Sequence, residues 1–400
     1  MDDRRRFLLA AGGYAATAFG FPANEMIGVG CIGTGGRAQV LMKNLNSIPG
    51  VKMTAVCDVW DQNLAAAQKI AGAGAFATRD YRAVLERKDV DAVLIGAPDH
   101  QHVPLTVAAC QAGKDVYVEK PLTHSLAEGR EVLEAKNRSG RIVQVGMQQR
   151  SMPHIQKAYE IVRAGTLGEI HKVHLTWNRN TPRGMDRRPN VDPKTVDWKA
   201  WLGRARQQEF DPYRFRQWRW FWDFGGGVFT DLMVHWIDVV HWFLDLDHPE
   251  RAASAGDNFM TKGVWETPDT AQTLLHYTNQ GVQAYFEATF INARNAAMIE
   301  FMGDFATLYL DRGRYEIYPE KRRRANAPPL QYSELVLGEG PKGADFYSTP
   351  NGELLHLSNW IECVRTRKAP NAPVEAGISA ASAAHMANLA LRGGQVARWS

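Results

Sequence analysis

Four cysteines in 400 residues are too few for a disulfide framework, and none stands in a CxxC or Cys/His spacing. The chain therefore lacks the usual ligand pattern of a zinc or iron–sulfur site, and no metal is expected. Cys31 and Cys57 fall on predicted buried strands, Cys110 and Cys363 on predicted helices. All four read as buried thiols, with a Cys31–Cys57 bond as the alternative if their strands are neighbours. No apolar run is long enough to span a bilayer. No charge of one sign dominates either: 47 basic and 43 acidic residues leave +4. So balanced a chain lacks the electrostatic footprint of a nucleic-acid binder. Its one dense basic run, Lys321-Arg322-Arg323-Arg324, precedes Pro328-Pro329 and reads as a solvated loop. Internal repeats and low-complexity tracts are absent, which excludes a solenoid.

What is present starts at the N-terminus. "DRRRFLLAAGG" (3–13) sets Arg4-Arg5 before Phe7-Leu8 and a weakly apolar run to Gly20. It resembles a twin-arginine export signal, a route taken by proteins already folded around a cofactor. Residues 1–24 are therefore left out of the fold, and export to the periplasm is expected. If the signal reading fails, the protein stays cytoplasmic.

From residue 25 to 150 the pattern is strand–helix alternation with short loops, which predicts a doubly wound parallel sheet. "MIGVGCIGTGGRAQVLMKNL" (26–45) gives a buried strand, then Gly33-x-Gly35-x-x-Ala38, then a helix. Gly33 suits a tight turn, Gly35 lets backbone approach a pyrophosphate, and Ala38 lets the helix pack close to the sheet. Helix N-termini bind phosphates through free N–H groups. The next strand, "KMTAVCD" (52–58), ends on Asp58, 25 residues after Gly33. A carboxylate there accepts from the ribose hydroxyls. Val59 and Trp60 follow it rather than an arginine, which favours NAD over NADP. "DAVLIGAP" (91–98), "DVYVEKP" (115–121) and "RIVQVGMQQR" (141–150) are further strand readings. Glu119-Lys120-Pro121 thus lies at a strand's carboxyl end, where ligands sit in such sheets.

The second half, 151–400, reads as a substrate and oligomerisation domain. "FGGGVFTDLMVHWIDVVHWFL" (224–244) is a glycine turn running into a helix, with Asp231 and His235 one turn apart. Nine of the twelve tryptophans lie between 177 and 265, and Trp218, Trp220 and Trp222 alternate just before that helix. They either stack on sugar rings or fill the core. Arg150 and Arg219 point to a polar substrate or to structural pairs. His100 and His241 read as structural. After residue 255 the pattern is of meandering strands, with an irregular loop at 321–345 and helices at 354–366 and 376–392.

Taken together, "IGTGGRA", "APDHQHVP" (97–104), "VEKPL" (118–122), "LGEIHKVH" (167–174), "VDWKAWLG" (196–203) and "GGGVFTDLMVHWIDVVHW" (225–242) resemble the Gfo/Idh/MocA oxidoreductases. That resemblance implies a Rossmann domain followed by an α/β domain with a large, mostly antiparallel open sheet. C-terminal helices would pack back on the first domain. It implies a cis or strained Lys120–Pro121 peptide and a catalytic set of Lys120, Asp231 and His235. Lys120 would hold the reacting oxygen. His235, near its ordinary pKa, would take the proton, with Asp231 orienting it or contacting a substrate hydroxyl. The candidate cofactor contacts are Gly33, Thr34, Gly35, Arg37, Asp58, Pro98, His102, Glu119, Lys120, Gln148 and Trp198. The candidate substrate contacts are Lys120, Arg150, Trp218, Arg219, Asp231 and His235. The expected function is hydride transfer between NAD and a hydroxyl of a sugar, polyol or glycoside, by a homodimer or homotetramer. Two other readings are an NAD-dependent glycoside hydrolase working through transient oxidation, and a non-catalytic sugar or nucleotide sensor.

Overall fold

The computed structural model describes residues 26–180, 189–321, 327–343 and 351–399. The predicted signal, most of the basic run at 321–324 and part of the 321–345 loop lie outside them. Six strands build the first sheet: β1 (Ile27–Ile32), β2 (Val51–Cys57), β3 (Phe76–Thr78), β4 (Ala92–Ile95), β5 (Asp115–Val118) and β6 (Val143–Val145). Their order is β3-β2-β1-β4-β5-β6 and every pairing is parallel. Helices cover both faces of such a sheet, so β1, β4 and β5 are buried along their whole length. The strand order reverses beside β1, which opens a crevice at the carboxyl ends of β1 and β4.

The glycine motif sits at that crevice. Gly33 has φ +73°, and a Cβ there would stand 2.6 Å from the Ala97 backbone. Ala38, on the helix Gly36–Leu45, lies so close to Gly96 that a Cβ on the glycine would meet it at 2.7 Å. This contact is why a small residue follows the second motif glycine by three.

The second sheet has nine strands: β7 (Ile170–Asn178), β8 (Arg251–Asp257), β9 (Thr270–Tyr277), β10 (Val282–Thr289), β11 (Ala297–Gly303), β12 (Ala306–Leu310), β13 (Arg314–Pro319), β14 (Ser333–Val336) and β15 (Ala397–Arg398). The order is β14-β13-β12-β11-β7-β10-β9-β8-β15. Only β7 and β10 run parallel; the other pairs are antiparallel. The helices Pro153–Arg163, Val234–Leu244 and Val374–Gly393 pack on one face. Alanines at 380, 383, 384, 387 and 390 are fully or almost fully buried, which lets the last helix lie close to the sheet and to Val234–Leu244. The other face is open: along β10, Val282, Ala284, Phe286 and Ala288 are buried while the residues between them are half-exposed.

The helix Gly352–Thr366 returns to the first domain. Its Trp360 packs on Tyr117 of β5, and Glu353 pairs with Arg37 at 3.0 Å. All four cysteines are buried and free; the β1–β2 register sets Cys57 opposite Ile32, not Cys31.

Three sequence readings need correction. The strand read over 141–150 is only Val143–Val145, because Gly146 breaks it and a 3-10 turn follows at Gln148–Ser151. The loop read over 321–345 contains β14, an edge strand whose partly exposed residues carry no buried pattern. The helix read over 224–244 opens with a π-helical turn, Phe229–Met233, before the α-helix Val234–Leu244. Such turns recur at functional sites.

Candidate active site

One cavity of about 1290 Å³ runs from the glycine turn, past the ends of β2, β4 and β5, to the π-helical turn. Both domains line it. At the first end, Gly35 caps the helix Gly36–Leu45 without a side-chain hydrogen bond, and the first turn holds no acid. A Cβ on Gly35 would find only Asn63 Nδ2 at 3.8 Å, and one on Gly36 would find nothing within 4 Å. Open backbone N–H groups at a helix start fit a pyrophosphate.

Asp58 closes β2 and lines the same end. Its Oδ2 accepts from the Thr34 N–H at 2.7 Å, Thr34 Oγ1 at 3.3 Å and Asn63 Nδ2 at 3.3 Å, and its Oδ1 from the Trp60 N–H at 2.9 Å. Thr34 itself is fully buried and does not line the cavity; it braces Asp58. Burial pushes the Asp58 carboxyl up to about 6, against those hydrogen bonds. The ionised form is the better acceptor for ribose hydroxyls, and it is lost as pH falls. NAD affinity is therefore expected to be level above about pH 6 and to weaken below it, approaching tenfold per pH unit, in a fluorescence titration. An affinity flat down to pH 4 would remove Asp58 from the ribose site.

The middle of the cavity answers why the strand β5 ends on charge. Glu119 is buried beside Arg37 (Nε to Oε1 3.4 Å), and Arg37 also bonds Glu353, so the cation ties the end of β5 to the helix Gly352–Thr366. The Lys120–Pro121 peptide is cis. His102 wedges between two carbonyls, with Nδ1 2.6 Å from Pro121 O and Nε2 2.8 Å from Ala97 O. Burial holds this ring down at about 4, so it is neutral and donates to one of the two. Pro98 precedes the helix Asp99–Gln111 and lines the cavity. Gln148 lines it with a buried Oε1 that has no hydrogen-bond partner among the described residues, an acceptor suited to a carboxamide N–H. Residues present therefore fit a nicotinamide dinucleotide from pyrophosphate to ring.

Lys120, Asp231 and His235 meet at the far end. Lys120 Nζ donates to the Asp231 backbone carbonyl at 2.6 Å and to its Oδ1 at 3.2 Å. Arg219 Nε adds a second contact to the carboxylate, on the same Oδ1, at 3.2 Å. Burial pushes the Asp231 carboxyl up, and the charges of Lys120, Arg219 and Arg179 overcome it, holding the group well below the usual carboxylate range. His235 lies against Trp177, with ring centroids 5.0 Å apart, and its buried Nδ1 has no hydrogen-bond partner among the described residues. Burial first, then Lys120, Arg312, Arg37 and Arg179, drive its pKa well below the ordinary value. This corrects the expectation of a histidine near its ordinary pKa: the ring is neutral. It also shifts the pairing, because Asp231 hydrogen-bonds Lys120 and Arg219.

The remaining candidates divide. Trp218 lines the cavity beneath Arg219, 4.2 Å from ring centre to guanidinium. Trp220 is buried and stacks on Trp265 at 4.3 Å, and Trp222 lies under Arg392 at 4.9 Å. Trp198 does not line the cavity; it stacks on Trp201 at 4.7 Å and donates to Gln208 O. Arg150 is not brought to the cavity either. It grips Asp238 through Nη2 at 2.7 Å and Nε at 2.9 Å, so it is the structural pair. His100 bonds Trp201 O, and His241 sits between Ser379 Oγ and Tyr277 OH. Sequence reasoning missed Asp99, Arg179 and Arg312, which all line the cavity. Asp99 stands within the quoted "APDHQHVP" stretch; Arg179 follows β7 and Arg312 joins β12 to β13, with no motif to mark them. Among the described residues no cluster of His, Cys, Asp and Glu is arranged to hold a metal ion.

A Rossmann cradle joined to an open-sheet domain, with lysine, aspartate and histidine converging on one cavity, fits a nicotinamide-dependent oxidoreductase. Residues 27–147 match the family model "oxidoreductase family, NAD-binding Rossmann fold", and residues 160–398 its "C-terminal alpha/beta domain". The chain belongs to the Gfo/Idh/MocA oxidoreductase family and carries its NAD-binding domain. It is 34% identical over 263 residues to an inositol 2-dehydrogenase of Rubrobacter xylanophilus, covering 64% of this chain and 63% of that one. The match thus spans just under two thirds of this relative. Among solved structures it resembles a levoglucosan dehydrogenase in complex with NADH and levoglucosan (TM-score 0.70, 15% identity, 92% of this chain and 96% of that chain). It resembles equally a myo-inositol 2-dehydrogenase of Lactobacillus plantarum (TM-score 0.70, 20% identity, 94% and 100%). At these identities the structures speak for the fold.

Proposed function

We propose that the protein is an NAD-dependent dehydrogenase that oxidises a hydroxyl of a sugar, polyol or glycoside, or reduces the corresponding ketone. The observation that carries this is the Lys120–Asp231 contact, set beside His235 in the cavity that also contains Asp58 and the glycine turn. Bound NAD supplies a hydride acceptor at its nicotinamide. The protein's part follows from charge. Asp231, ionised throughout the working pH range, fixes the Lys120 ammonium, whose remaining N–H donates to the reacting oxygen and stabilises its developing negative charge. Neutral His235 offers a ring nitrogen to the hydroxyl proton. Trp218 and Arg219 form the wall against which the substrate rests, an aromatic face beside a polar edge. A panel of monosaccharides, polyols and glycosides with NAD tests this: at least one must give sustained formation of reduced cofactor.

We also propose export by the twin-arginine route, supported by Arg4-Arg5 ahead of Phe7-Leu8 and by four thiols that the fold buries unpaired. Replacing both arginines by lysine must leave the protein in the cytoplasm. A homodimer or homotetramer is proposed through the open face of the nine-stranded sheet, where Leu274 is 37% exposed among half-buried Gln283, Tyr285 and Glu287. Light scattering that gives a monomer would contradict it.

A further inference from the structure

His102 lines the cavity, yet it has only carbon to offer a ligand there. Both ring nitrogens face backbone carbonyls of the protein itself, Nδ1 at 2.6 Å from Pro121 O and Nε2 at 2.8 Å from Ala97 O. The residue is 1% exposed. A neutral ring has one N–H, and the shorter contact marks where it points. A bare nitrogen that faces a carbonyl is held off, so Nδ1 donates to Pro121 O.

That carbonyl belongs to the residue after Lys120. β5 ends at Val118, and the Glu119 N–H still bonds Ile95 O at 3.0 Å. Beyond it the chain leaves the sheet, and Pro121 has no N–H to give. Among the described residues, His102 supplies the one hydrogen bond that reaches the Lys120–Pro121 backbone.

The helix that carries His102, Asp99–Gln111, is itself fastened to the second domain by its first turn. Asp99 Oδ2 accepts from Thr230 Oγ1 at 3.5 Å, next to Asp231. The His100 N–H, free at a helix start, donates to Phe224 O at 3.3 Å. His100 Nε2 and Gln101 Nε2 lie 2.9 and 2.7 Å from Trp201 O. The contacts close a ring. From Asp231 it runs through Thr230 to Asp99, down the helix turn to His102, across to Pro121, and from Lys120 Nζ back to the Asp231 carbonyl at 2.6 Å. On its other side His102 touches Ala97, the wall against which the Gly33 turn is packed.

Resting on the proposed dehydrogenase reading, we propose that His102 is a positioning residue: its Nδ1–H holds the Pro121 carbonyl, and so aims the Lys120 ammonium at the reacting oxygen. It acts through the lysine and makes no polar contact with cofactor or substrate. A reacting group displaced by about 1 Å can lose a hundredfold in rate, so one such tether is enough to matter.

The test uses the full chain. In the parent, nitrogen-15 NMR of the imidazoles must place the His102 proton on Nδ1; a ring protonated on Nε2 overturns the proposal. With NAD and an oxidised substrate, His102→Leu must lose about ten- to a hundredfold in kcat while NAD affinity stays within a few-fold. His102→Asn, which sets an amide N–H near the Nδ1 position, must recover most of that loss. In a Lys120→Met background, His102→Leu must cost less than about threefold more, because no lysine is left to position. Equal losses with and without Lys120, or a fall in NAD affinity that matches the fall in rate, overturn the proposal. If no substrate is oxidised, the dehydrogenase reading fails, and the crystal structure of His102→Leu still decides the positioning role: Lys120 Nζ must have left the Asp231 carbonyl, and an unchanged contact refutes it.

Discussion

Lys120→Met is expected to lower kcat/KM by about a hundred- to a thousandfold while leaving NAD affinity within a few-fold. Among the described residues the ammonium makes two hydrogen bonds, both to Asp231, and neither goes to a group that would hold the nucleotide. What the substitution removes is a donor aimed at the oxygen where negative charge develops. Such a donor is worth more in the transition state than in the ground state, so the loss belongs in kcat. Methionine keeps the length and the apolar stem of lysine, so the cis Lys120–Pro121 segment retains its packing. Asp231, losing one of its cations, keeps Arg219 at 3.2 Å. Steady-state kinetics combined with an NAD titration separates the two quantities. A variant within tenfold of the parent would take Lys120 out of the reaction.

Arg150→Met is the second large effect, and it falls on stability. Arg150 and Asp238 are 88 residues apart and form three contacts of 2.7–3.0 Å, with Asp238 only 1% exposed. Burial raises the Asp238 carboxyl, against the charge of Arg150 that sustains it. Removing the arginine leaves a buried acid without its cation, at a cost of about 3–5 kcal/mol. The double change Arg150→Met with Asp238→Leu removes the stranded charge as well and is expected to recover most of that loss. Chemical denaturation of both variants checks it. A single variant as stable as the parent, or a double variant no better than the single, contradicts the structural role of the pair.

These two residues mark how far sequence carries. Lys120 was legible because a strand pattern, a charge and a proline are local, and the strand's carboxyl end is where a parallel sheet binds ligands. Asp58 was legible for the same reason, through its distance from Gly33 along one β–α–β unit. Arg150 was not, because the carboxylate that claims it lies on a helix in another part of the chain. Arg179 and Arg312 reach the cavity from the end of β7 and from the β12–β13 turn, brought there by the strand order of the second sheet. The alternating tryptophans at 218, 220 and 222 carry one signal but meet three fates, since no strand presents them: a 3-10 turn holds Trp218 and Trp220, and Trp222 stands in the turn beyond it. The pKa of Asp231 and His235 is set by burial and by cations from several segments, quantities a sequence does not display.

The most direct test of the account follows the hydrogen itself. A turned-over substrate, deuterated at each ring carbon in turn, is incubated with the enzyme and NAD, and the reduced cofactor is analysed by mass spectrometry. The account predicts one deuterium in the cofactor, from the carbon that becomes the ketone, with reduced cofactor and ketone accumulating in equal amounts, and no such transfer in Lys120→Met over the same period. Release of an aglycone from a glycoside with no lasting reduced cofactor would contradict it, because the redox cycle would then close on the enzyme and the net reaction would be bond cleavage.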